Sequence, residues 1–256
     1  MITKLASVFQ QYKTFPKECY NAADSPVQVF KNMFRDDPFA HDLDTFLSFQ
    51  NYKPTQRGSD LPWWGKKYFS NQDGFRVFIV AQDSNANDAE SIVFYSHLFP
   101  SVKTNDQYRS YTSAIKHKDT SKKPFSFKSY IGVRNKITEE WSINLDFLYI
   151  TDAAKVYRYN SWEKNDFDFE KSKSLLKDEI KLCNPDLIIL LGWKALRILD
   201  ETQSFKKIVE SRSFMKIDGK QIVVAPFLCG QGLSQPNFKQ RFENAKFLIN
   251  KAFHRK

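Results

Sequence analysis

Four short apolar segments punctuate an otherwise polar chain: Arg76 to Asp83 (RVFIVAQD), Phe147 to Ala153 (FLYITDA), Asp186 to Gly192 (DLIILLG) and Gln221 to Phe227 (QIVVAPF). Each is rich in Val and Ile with little alternation, the pattern of strands buried on both faces of a parallel sheet. Helical spacing lies between them. Phe169 to Leu182 brings Leu175, Leu176, Ile180 and the aliphatic part of Lys171 near one stripe, and a further helix starts after Gly192 at Trp193 to Leu199. Strands alternating with helices predict an α/β layered fold, in which ligands collect at the carboxyl ends of the strands. Those ends carry Asp83, Asp152, Gly192 and the loop after Phe227.

The remaining sequence fits around this core as one domain over 1–256. Residues 1–74 are rich in Phe, Tyr and Trp, including LPWWGKKYF, and are expected to form a helical cap on an α/β core of 75–256. Within the core, 103–136 is a basic insertion with Tyr and Phe interleaved among Lys and Arg. It reads either as a solvated surface insertion or as a phosphate-tracking surface whose aromatics stack on bases.

Charge adds a partner class without naming it. The 39 Lys and Arg exceed the 29 Asp and Glu to leave a net +10, which attracts a polyanion before any specific contact forms. Three widely spaced cysteines, Cys19, Cys183 and Cys229, supply neither a disulfide framework nor a four-cysteine metal site, so no metal or cofactor is expected and a reducing compartment fits. The N-terminal MITKLASVFQQYKTF lacks the apolar core of a signal peptide, and no apolar run approaches the roughly 20 residues of a membrane span. The expectation is a soluble, cytoplasmic monomer.

The order of the strand-end motifs is more specific than any one of them. The first strand ends in AQDSN, the second in YITDAAKVYR, the third is PDLIILLGWKAL and the fourth runs into APFLCGQGLSQ. This order resembles the uracil-DNA glycosylase superfamily, with its GQDPY-type loop, its Asn followed by a basic residue, its P-x-h-h-h-h-L-G-x-x-A strand and its terminal HPSPLS. The resemblance covers roughly residues 75–249 and implies a three-layer α/β/α fold around a central four-stranded parallel sheet. It also implies hydrolysis of an N-glycosidic bond in DNA through a flipped-out nucleotide.

Carried over residue by residue, Asp83 matches the acid that positions water and stabilises the oxocarbenium-like sugar, although a strand-end Asp is more often a cap. Gln82 matches the residue whose backbone N–H meets the base's O2. Phe94, in SIVFYS, matches the aromatic on which the base stacks; without the resemblance it reads as core. Lys155, with Arg158 on the same motif, falls where a basic residue meets backbone phosphate. Leu233, with Ser234 beside it, aligns with the leucine that wedges into the helix during flipping.

Three departures change what the resemblance implies. The base-reading Asn is here Asp152, and a carboxylate accepts from cytosine's exocyclic amine where an amide matches uracil; a proton on Asp152 or on N3 completes the second bond. The alternative is that Asp152 has lost base recognition. The Tyr that crowds the base's C5 edge falls on Asn85, which opens space for a substituent unless the loop length shifts the alignment. The His of HPSPLS aligns with Cys229, a poor donor, and His41, His97, His117 and His254 all lie outside that loop. Gln231, Ser234 or loop N–H groups are left to meet the developing charge on the base.

The first two departures point to a DNA glycosylase for a 5-substituted, cytosine-type base, acting in defence against phage with modified DNA. Two alternatives stay open: a repair glycosylase for uracil or another damaged base, and a catalytically inactive DNA-binding member of the fold.

Overall fold

The computed structural model describes residues 1–12, 62–82, 92–113, 126–155 and 167–254. Among these, the sheet has six strands: β1 (Trp63–Trp64), β2 (Val77–Ala81), β3 (Leu148–Asp152), β4 (Leu187–Leu191), β5 (Met215–Ile217) and β6 (Lys220–Ala225), in the order β1-β3-β2-β4-β6-β5. The four apolar segments of the sequence are the four central strands. They run parallel, with Val77 opposite both Leu148 and Leu187, and Leu187 opposite Gln221. Every residue of β2, β3 and β4 is buried, which is why these segments show no polar alternation.

The sheet is mixed, because an antiparallel strand closes each edge. On one side Trp63 and Trp64 pair with Ile150 and Tyr149 of β3. Within the expected helical cap of 1–74, residues 2–12 form a helix and 63–64 this edge strand, while 13–61 lie outside the described residues. On the other side β5 and β6 form a hairpin across Asp218 and Gly219, both left-handed at φ 49° and 78°. A two-residue turn with positive φ at both positions matches the right-handed twist of the flanking strands.

Helices cover both faces. Adjacent strand residues point to opposite sides, and Trp63 meets Phe99 edge-on while Trp64 stacks on Tyr149. Behind Phe99 lie α2 (Ile92–Leu98), α3 (Asn105–Ser113) and α4 (Phe127–Asn135), the last continued by a wide turn through Lys136–Glu140. Behind Tyr149 lies α5 (Phe169–Cys183), capped by the Asp168 carboxylate accepting from the Lys171 N–H. It turns Ser172, Leu175, Leu176, Glu179 and Cys183 inward and packs against α1 (Ile2–Tyr12). Helices α6 (Gly192–Leu199), α7 (Phe205–Glu210) and α8 (Phe238–Phe253) complete the described elements.

The basic insertion is more structured than its composition suggests. Its aromatics Tyr108 and Tyr130 are buried and stack on one another, and the Tyr130 hydroxyl donates to the carbonyls of Leu98 and Val102. These rings are core, not stacking platforms for bases. Residues 114–125 of the insertion lie outside the described part of the chain. Among the described residues no helix is long and apolar enough to cross a membrane.

Two glycines test the packing in opposite directions. A Cβ on Gly65 would lie 1.8 Å from the Leu145 carbonyl oxygen, whereas on Gly132, inside α4, the nearest atom is the Lys136 Nζ at 3.8 Å, an ordinary contact. Gly65→Ala is expected to destabilise the fold by about 3 kcal/mol, at the upper end for overpacking. Gly132→Ala should stabilise it by up to about 1 kcal/mol through helix propensity. Urea denaturation reads both, and a neutral Gly65→Ala would contradict the β1 edge as described.

Candidate functional site at the strand ends

The parallel ladder continues past the strands and draws their carboxyl ends together. Ala153 and Ala154 donate their N–H groups to the carbonyls of Ala81 and Gln82 at 3.0 and 3.1 Å. The loop after β3 is thereby sewn to the loop after β2. Asp152, the last residue of β3, sits opposite Ala81 and is fully buried.

The end of β4 joins the same locus. Gly192 turns the chain from β4 into α6 at φ +83°, a conformation that favours glycine. Its bare Cα receives the Gln82 side chain, since a Cβ would lie 3.2 Å from that carboxamide carbon. Gln82, Asp152 and Gly192 therefore come from three neighbouring strands to one place.

After β6 the chain folds into a tight turn over Gly230–Gly232, with the Gly232 N–H donating to the Cys229 carbonyl at 3.0 Å. A Cβ on Gly232 would lie 2.3 Å from the Phe227 carbonyl oxygen, so the turn needs a residue without one. Cys229 is buried at its base, Gln231 contributes backbone to it, and Leu233 and Ser234 follow on the exposed side. Asp83, Asn85 and Arg158 lie outside the described residues, as does the side chain of Phe94, whose backbone belongs to α2.

Lys155 is the correction. Its side chain is 1% exposed and packs between α1 and α5. There its ammonium pairs with the buried Glu179 carboxylate and lies 5.4 Å from the Phe9 ring centroid. Its backbone N–H donates to Ser172 Oγ. An ammonium committed to a buried carboxylate is not available to a phosphate, so the DNA contact expected of Lys155 does not hold in this arrangement.

Glu179 also accepts from the Tyr149 hydroxyl at 2.6 Å, which makes a buried chain Lys155–Glu179–Tyr149 beneath the site. Burial pulls the Lys155 ammonium well below the ordinary lysine range, while the Asp152 carboxylate pushes it back up. Burial also raises the Tyr149 hydroxyl and the neighbouring Cys183 thiol, so both hold their protons across the neutral range. This chain was not foreseen, yet the sequence carries a trace of it: Glu179 falls on the stripe of Ser172, Leu175, Leu176 and Cys183, where a carboxylate needs a partner.

No protein-family model matches the chain, and no curated protein matches it. Among the described residues, no group of three or more His, Cys, Asp and Glu side chains could hold a metal ion. What the strand ends offer is a buried carboxylate, a close-packed carboxamide and a glycine-rich turn, set where an α/β sheet presents ligands.

Removing one member of a buried ion pair strands the other. Lys155→Met and Glu179→Gln are each expected to destabilise the fold by about 3–5 kcal/mol. The double variant Lys155→Met, Glu179→Gln should lose much less than the sum of the singles. Additive losses in chemical denaturation would show that the two residues do not act as a pair.

Proposed function

We propose that the chain is a DNA glycosylase that hydrolyses the N-glycosidic bond of a 5-substituted, cytosine-type base and leaves an abasic site. The observation that carries this reading is the place of Asp152: buried at the carboxyl end of β3, in register with Ala81, one residue before Gln82 and two before Asp83. The glycosylase motifs that the sequence resembles need the base-reading residue and the water-positioning acid on adjacent strand ends. The order β3-β2-β4-β6 of the parallel strands, with helices on both faces, suits the three-layer architecture of that superfamily.

In the proposed reaction the nucleotide leaves the duplex and its base enters the strand-end locus. Asp152 accepts from the exocyclic amine. Asp83 stabilises the positive charge that develops as the bond to C1′ breaks and takes the proton of the water whose oxygen bonds to C1′, while the bond's electron pair leaves with the base, its charge met by Gln231, Ser234 or N–H groups of the loop after β6. Gln82, in close contact with Gly192, fixes the wall beside the base. The short side chain of Asn85 leaves the C5 edge open to a substituent, which spares ordinary cytosine only if that substituent supplies binding energy. Such selectivity suits defence against phage that carry decorated cytosines.

One observation favours a second reading, an inactive DNA-binding protein on the same fold. The position of the superfamily's histidine holds Cys229, buried and a weak donor. Oligonucleotides carrying uracil, cytosine and 5-substituted cytosines, incubated with the protein and then cleaved with alkali at abasic sites, separate the readings. Cleavage confined to substituted cytosine supports the proposal, cleavage at uracil indicates repair, and no cleavage with retained binding indicates the inactive protein.

Asp152→Asn gives the sharpest outcome. An amide donor facing the cytosine amine leaves a buried polar group unmatched, at about 1–3 kcal/mol. Release of the substituted cytosine should fall and release of uracil should rise, a crossover in preference measured as kcat/KM on the two substrates. A preference that stays put would remove Asp152 from base reading.

DNA affinity of the wild type should also fall steeply with salt, as counterions compete for phosphates with the chain's cations. A flat dependence, read by anisotropy between about 50 and 200 mM salt, would exclude a phosphate-dominated interface.

A further inference from the structure

Two large apolar side chains stand exposed at the carboxyl end of the sheet, Trp193 at 49% and Leu233 at 45%. Leu233 already has an expected role as a wedge. Trp193 has none, although it follows Gly192 directly and so flanks the Gln82 contact.

The helix it begins has no structural use for it. In α6 the inward stripe is Gly192, Ala195, Leu196, Ile198 and Leu199, while Trp193, Lys194 and Arg197 are left off that stripe. The other large rings near the sheet are spent differently: Trp63, Trp64 and Trp141 are each at most 1% exposed. A half-exposed indole at a site rim is suited to a planar partner.

Charge says which partner. Neither α6 nor the segment 226–242 contains an Asp or Glu, whereas between them they hold Lys194, Arg197, Lys239 and Arg241. Arg241 is committed to Glu210, and Arg197 lies 5.8 Å from the Phe169 ring centroid, which holds a cation at the surface beside the indole. A half-exposed apolar ring on a helix whose own charged residues, Lys194 and Arg197, are cations matches a nucleobase carried on a phosphate backbone.

We propose that Trp193 is a nucleobase-stacking platform that, with Leu233, brackets the strand-end site, and that it holds a base neighbouring the one drawn inside. The position of that base in the strand rests on the glycosylase reading; the stacking itself requires only DNA.

The test measures binding of labelled single- and double-stranded oligonucleotides by anisotropy over a range of salt, for wild type, Trp193→Ala, Trp193→Phe and Arg197→Ala. Base release is followed in parallel, and thermal melting checks folding. Trp193→Ala should weaken binding about 10-fold or more without changing the salt slope, because a stack and not a phosphate contact is lost. Trp193→Phe should keep most of the affinity. Arg197→Ala should lower the salt slope by about one.

Affinity of Trp193→Ala within about twofold of wild type, or wild type that binds no DNA, would overturn the proposal. So would Trp193→Phe binding as weakly as Trp193→Ala, or a wild-type dimer in sedimentation that Trp193→Ala converts to monomer, which would assign the indole to self-association. Tryptophan-dependent binding without release of any base would leave the platform standing and remove the glycosylase reading instead.

Discussion

The two-sided pairing of β2 is the constraint on which the rest of the structure depends. β2 lies between β3 and β4, hydrogen-bonded to both, and all five of its residues are buried. Its entry is clamped as well: the Arg76 N–H donates to the Asp186 carboxylate, and the Arg76 guanidinium holds the carbonyls of Tyr68 and Ser70. With both ends of the ladder fixed, the direction in which Gln82 leaves the sheet is fixed too. A one-residue slip against β3 would set Ala81 opposite a different residue and carry Gln82 away from Gly192.

Under that frame lies an arrangement that a purely apolar core would not need. Holding Lys155 and Glu179 out of water costs several kcal/mol for each ion, offset by their mutual attraction and by the Tyr149 hydrogen bond. What the pair supplies is position more than stability. Lys155 is tied at its backbone to Ser172 and at its ammonium to Glu179, both on α5. The four residues from Asp152 to Lys155 are therefore anchored at one end to the sheet and at the other to a helix. In the proposed reading the Asp152 carboxylate discriminates an amine from a carbonyl and must be held still, and this double anchorage would do so without placing another side chain at the rim.

Much of this was legible in the residues, and what was not has identifiable causes. The four central strands showed themselves because burial on both faces leaves an unbroken apolar run, and α5 and α6 because one face repeats at helical spacing. β1 was missed since two tryptophans are too short a run to display a period. β5 was missed although Asp218–Gly219 is a strong hairpin signal, because Met215–Ile217 is only partly buried and reads as polar. Tyr108 and Tyr130 were misjudged for a different reason: interleaved with lysines they look like a binding surface, and only tertiary packing distinguishes a ring that faces inward. Lys155 misled in the same way, since sequence places a cation after a strand but not the direction in which its long side chain turns.

That distinction between rings facing in and rings facing out bears on the site itself. The chain carries 24 Phe, 11 Tyr and 5 Trp, and the described part of the core is stitched by contacts among them, from Phe78 stacked on Tyr149 to Trp141 stacked on Phe242. Such abundance makes an aromatic residue weak evidence for function at any one position. Exposure restores the information, because a large apolar surface left in water gains nothing for folding. Among the described residues Trp193 and Leu233 are exposed large apolar side chains in the segments that follow the adjacent parallel strands β4 and β6. The sheet thus buries Asp152 and leaves Trp193 and Leu233 exposed, the reverse of an ordinary folded surface, and that reversal suits the proposed site for a base drawn out of water.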